Sequence, residues 1–145
     1  MINTRSLTLI FLLLVCTVAT AQPRHSITKI VGRNSIGDDD ANKIKLYAHG
    51  WAEVLLTTDG MKLYEAQRHL IEPLEPDVAM SPYARSLYGK ALKEGFEAIL
   101  DEKNENEMSA VNALQVISLL GTEQGCGLLE YHATIRNEKR SALRH

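Results

Sequence analysis

The sequence predicts an all-α fold of about five helices stacked as antiparallel pairs. Three observations carry that expectation. From Ala41 the apolar residues recur with a helical period. Residues 107–129 read as a helix, a glycine turn and a second helix folding back. No segment alternates as a strand would.

Residues 107–129 are the hairpin against which the other helices are expected to stack. Ala110, Ala113, Leu114, Ile117 and Leu120 form one helical stripe, and Val111, Val116 and Leu119 widen it. A helix apolar over most of its girth needs cover on more than one side. Gly121 stands where a left-handed C-terminal cap is wanted. Thr122 is placed to cap the next helix, with Glu123 near its positive end. Gly125 and Gly127 weaken that helix by about 1 kcal/mol each relative to alanine. Cys126, among apolar residues, is expected to be a buried small hydrophobe.

The chain opens M-I-N-T-R, followed by an almost wholly apolar run from Leu7 to Val18 and the A-x-A site Ala19-Thr20-Ala21. Residues 1–21 therefore read as a Sec-type signal peptide, with Gln22 as the new N-terminus. The run falls short of the ~20 residues a comfortable membrane span needs, so an N-terminal anchor is the lesser alternative. Cys16 follows Val15 rather than the small residue of a lipoprotein site. The expected location is periplasmic or extracellular, with no stable membrane span after cleavage.

Removing residues 1–21 from the 145 leaves 124, the size of one domain. Losing Arg5 moves the formal charge from −2 to −3, which gives no basic face for nucleic acid. Cys126 is then the only cysteine, which excludes an intrachain disulfide and a cysteine zinc site.

Residues 22–40 contain Pro23, Gly32, Asn34 and Gly37 and lack a sustained period, so a flexible arm is expected, with Ile27, Ile30 and Val31 able to dock. Asp38, Asp39 and Asp40 lack the alternating spacing of a calcium loop and suit the start of a helix. Residues 41–145 form the predicted helical domain. Ile44, Tyr47, Ala48, Trp51, Ala52 and Leu55 define a first helix ending near Thr57, with Asp59-Gly60 as its turn. A second helix starts at Met61 and is stopped by Pro73 and Pro76. Ser81-Pro82 starts a third, as N-cap and first helical residue. Its stripe is Ala84, Leu87, Tyr88, Ala91, Leu92, Phe96 and Ile99. Residues 101–107 are a polar connection to the hairpin.

The pattern A-x-x-A-L-x-x-I-x-x-L-G at 110–121 resembles the first helix of a HEAT-like repeat. N-E-K-R-S-A-L from Asn137 resembles the charged start of the next, with Glu107 and Arg140 in equivalent places. S-P-Y-A-R-S-L-Y-G-K-A-L at 81–92 resembles another opening, with Ser81 and Tyr88 departing from it. The chain thus resembles an exported bacterial protein with HEAT-like repeats. The resemblance implies a short α-solenoid, open or truncated at its C-terminal end because a sixth helix begins and stops. It also implies a non-enzymatic scaffold that binds a protein or peptide partner, and it carries no catalytic residues. In a solenoid each unit contacts mainly its neighbours, leaving an extended concave surface.

Other constellations offer less. His49-Gly50-Trp51 resembles an oxyanion-hole segment of α/β-hydrolases, but no G-x-S-x-G elbow accompanies it. His49 with Glu53, and Glu65 with His69, stand four apart and could each set two metal ligands on a helix face. These four define the alternative of a small exported enzyme or metal-binding bundle. No H-E-x-x-H is present, and His25, His132 and His145 do not complete a recognisable set. Tyr47, Trp51, Tyr64, Tyr83 and Tyr88 suit a core, or a groove between helices. Arg136, Lys139, Arg140 and Arg144 form a small basic end. No catalytic, cofactor or metal residue is therefore predicted.

Overall fold

The computed structural model describes residues 25–101 and 106–142, with side chains undescribed at Gln124 and from 135 onward. The expected signal peptide, Cys16, Arg144 and His145 lie outside the described residues, as does most of the polar connection. The fold is all-α: six helices and two 3-10 turns, with no strand among the described residues.

Helix α1, Thr28–Val31, is a single turn. It lies in the expected N-terminal arm, on the residues expected to be able to dock. Ile27 and Val31 are buried, and the backbone of Ser81 donates to the Val31 carbonyl at 2.9 Å. Ser26 donates to Glu72 at 2.8 Å. The missing period before Asp38 reflects a short segment, docked through Ile27 and Val31 with Ile30 and Ile36 beside them, too brief to show a repeat.

Helix α2, Asp38–Val54, begins three residues before the expected Ala41. The three aspartates form its first turn, where carboxylates complement the exposed N–H groups. Asp40 bonds Lys43 at 2.9 Å and also meets Arg33. The Lys43 hydrogen bond leads the causes that hold its carboxyl below the ordinary range. Ile44, Tyr47, Ala48, Trp51 and Ala52 are buried, as the period predicts. Leu55 is buried just past the last turn.

Helix α3, Gly60–Ile71, is capped by Asp59, whose carboxylate accepts from Met61 N at 3.0 Å. It buries Leu63, Ala66 and Leu70. Its C-terminal end sits inside the protein, where the last carbonyls need partners. Glu72 N serves the Arg68 carbonyl. The partner of the His69 carbonyl would be residue 73, but Pro73 has no N–H. Tyr47 of α2 supplies the missing donor at 2.7 Å. Tyr88 donates to the neighbouring Leu70 carbonyl at 2.9 Å. Burial is the main cause that pushes both phenols above their ordinary pKa. Two 3-10 turns, Glu72–Leu74 and Pro76–Val78, follow.

Helix α4, Pro82–Leu100, starts as the sequence predicts: Ser81 accepts from Ala84 N at 3.2 Å, with proline in the first turn. It buries Ala84, Tyr88, Ala91, Leu92, Phe96 and Ile99 and makes its largest contact with α2. Small residues allow a close crossing there. A Cβ on Gly95 would lie 3.0 Å from that of Ala52.

Helix α5, Glu107–Leu120, is covered by α3, α4 and α6. Its buried stripe is Ser109, Ala113, Val116, Ile117 and Leu120, so Ala110 and Leu114 are only half-buried. Ser109 donates to the Leu55 carbonyl. Gly121 adopts φ +59°, the left-handed cap expected of it. Arg85 of α4 donates to the Leu120 carbonyl at 2.7 Å, closing that helix end.

Helix α6, Glu123–Ala142, is capped by Thr122, which accepts from Gly125 N at 3.2 Å. Gly125 meets α5: a Cβ there would lie 3.2 Å from the Ile117 carbonyl. That contact turns Cys126 outward, so the cysteine is exposed rather than buried. The further helix expected near Asn137 falls inside α6, which runs unbroken because no glycine or proline interrupts 128–142.

Candidate functional site

The four histidine and glutamate candidates have separate surroundings. His49 on α2 faces α4. Its Nε2 lies 3.6 Å from Glu94 Oε2, too long for a hydrogen bond. The same oxygen takes Lys45 Nζ at 2.8 Å. That hydrogen bond is the first cause holding the Glu94 carboxyl below its ordinary range. His69 stacks on Trp51, with ring centroids 4.2 Å apart and an interplanar angle of 19°. Its Nδ1 lies 3.2 Å from Glu72 Oε2. Glu53 and Glu65 are exposed. Among the described residues no group of three or more His, Cys, Asp or Glu is placed to hold a metal.

The aromatic residues divide as well. Tyr47, Trp51 and Tyr88 lie in the core, while Tyr64 and Tyr83 face solvent. They line no common groove. Trp51 is held by packing and by His69. Its indole N–H is buried with no hydrogen-bond partner among the described residues.

A groove of about 590 Å³ lies elsewhere, between α4 and α6. Lys90, Lys93, Glu94, Glu97 and Asp101 line its α4 side at three- and four-residue steps, on one face of the helix. Leu100 and Leu128, both half-buried against the core, give apolar surface. Tyr131 and His132 form the α6 wall, their rings edge to face at 5.3 Å and 85°. Tyr131 stays 56% exposed, with its ring open to a ligand.

The charges along this groove are ordered. Lys90 and Lys93 stand at one end, Glu97 and Asp101 at the other. Glu94, between them, is already engaged by Lys45 from α2. The terminal carbonyls of α4 add partial negative charge at the acidic end. Such a cleft can recognise charge and apolar surface together. Its volume lies in the range of ligand sites, roughly 300–1,000 Å³. Sequence reasoning passed over it because its walls lie on two helices that are not neighbours in the chain. The available signal was the single-face spacing of Lys90, Lys93, Glu97 and Asp101.

No protein-family model, curated protein or solved structure matches the chain significantly.

Proposed function

We propose that the chain is an exported, non-enzymatic scaffold, a short HEAT-like α-solenoid that binds a protein or peptide partner on a helical face. The leader-like residues 1–21 support export. The solenoid reading rests on one observation, the same-direction stacking of helices that are not neighbours in sequence.

Asn106, at the start of α5, donates to the Thr57 carbonyl at 3.3 Å, just before α3. Two turns further into each helix, Gln67 and Gln115 are hydrogen-bonded. Helices α3 and α5 therefore run side by side in one direction. Helices α2 and α4 behave alike. Tyr47 and Tyr88 reach the adjacent carbonyls of His69 and Leu70, and further along Ala52 meets Gly95. These contacts support a reading in which two helical hairpins, α2 with α3 and α4 with α5, stack in parallel layers. That is how repeat arrays extend, each unit contacting its neighbour and leaving a continuous face for a partner.

The test is photocrosslinking of the full chain, carrying a benzophenone at an exposed α4 position, to the extracytoplasmic proteins of its source cells. A saturable adduct with a defined protein, displaced by unlabelled chain, is the expected result. Adducts that never saturate, or none at all, would refute the reading.

A further inference from the structure

We propose that the partner is held in the α4/α6 groove, and that the groove takes an extended peptide segment with an acidic side chain at one end, a basic one at the other and apolar residues between. The proposal rests on the scaffold reading and adds the site and the chemistry of the ligand.

Charge complementarity selects this occupant. At a rise of about 1.5 Å per helical residue, the step from Lys90 to Glu97 spans about 10 Å. An extended chain covers that distance in about three residues. The occupant's acid then meets Lys90 and Lys93, and its base meets Glu97 beside Asp101. The α4 charges compete only weakly among themselves. Lys90 precedes Glu94 and Lys93 precedes Glu97, the poorer orientation for helical pairs four apart. Glu94 is also drawn away by Lys45 at 2.8 Å. Leu100 beside the acidic end, and Leu128 and the open ring of Tyr131 on the α6 side, offer apolar contact.

Three fluorescent peptides of equal length, blocked at both termini, test the proposal by anisotropy with the full chain. Each has a leucine and alanine centre. One carries glutamate and lysine at opposite ends, one carries two glutamates, and one carries two lysines. The mixed peptide is expected to bind up to about five-fold more tightly than either other, the upper end for an exposed ion pair. Lys90→Glu with Lys93→Glu makes the groove acidic and should transfer the preference to the dilysine peptide. Glu97→Lys should transfer it to the diglutamate peptide. Lys90, Lys93 and Glu97 are exposed, so circular dichroism melts should match those of the unaltered chain. Equal binding of the three peptides, no binding, or an order untouched by the swaps would overturn the proposal. If the photocrosslinked partner is still captured by the charge-swapped chains, the groove assignment fails and the scaffold reading stands.

Discussion

Replacing Tyr88 with phenylalanine removes one oxygen and leaves the ring in place. The oxygen lies in the fully buried part of the core, 2.9 Å from the Leu70 carbonyl. That carbonyl belongs to the last turn of α3, beyond which the chain leaves the α-helix for the 3-10 turn Glu72–Leu74. Tyr88 has no exposed surface, so water has no direct route to the site. The substitution therefore leaves a buried acceptor unsatisfied, at a cost of about 1–3 kcal/mol. Tyr47→Phe strips the neighbouring His69 carbonyl of its donor, but at a part-buried bond beside the partly open His69–Glu72 pair. Water can compensate there, and the expected cost is about 0.5–1.5 kcal/mol. Urea unfolding followed by far-UV circular dichroism gives both values. Because the two hydroxyls serve adjacent carbonyls of one helix end, the double substitution should depart from additivity by more than ~0.5 kcal/mol. A neutral Tyr88→Phe, or a Tyr47→Phe that costs more than it, would refute the idea that these phenols complete α3.

The Ala52–Gly95 crossing predicts that Gly95→Val, which adds bulk where a single Cβ already meets Ala52 at 3.0 Å, destabilises by about 1–3 kcal/mol; an unchanged urea midpoint would contradict the crossing. Tyr47 and Tyr88 have pKa values raised above the ordinary 10.0, so the stability they contribute is complete below pH 10 and is lost as pH rises beyond it. Tyrosinate absorbance from these two should therefore appear together with loss of helix, and Tyr88→Phe should remove part of that signal; ionisation of both within the folded chain would refute the burial argument. Because His49 and His69 have different neighbours and converge on no common site among the described residues, zinc or EDTA should leave the melting midpoint unchanged, whereas a metal-dependent shift abolished by His69→Ala would bring the histidine–glutamate pairs back.

Much of the fold was legible where local chemistry decides it. Ser81-Pro82, Gly121 and Thr122 act through backbone groups a few residues away, and they act as read. The stripe from Ile44 to Leu55 has polar residues on both sides, so its phase was unambiguous. The phase of α5 was not. Nearly all its residues are apolar, and the core took Val116 fully in place of Ala110 and Leu114. Cys126 shows the same difficulty. A Gly-x-Gly stretch has no side chains to mark which face turns inward, and the close approach of Gly125 to Ile117 decided it. The tyrosine donors at the end of α3 were hidden because each bond joins residues about twenty apart in the chain. The groove was hidden more deeply still, its walls lying on α4 and α6 with α5 between them in sequence.

The stacking of α3 on α5 in one direction carries the scaffold reading, and disulfide trapping tests it most directly. In a chain with Cys16 and Cys126 replaced by serine, Tyr64→Cys with Asn112→Cys marks the parallel register set by Gln67 and Gln115. Tyr64→Cys with Ser118→Cys marks the antiparallel one. The account predicts rapid crosslinking of the first pair under mild oxidation and none of the second. Crosslinking of the second pair alone, or of neither, would contradict the stacked hairpins and the scaffold built on them.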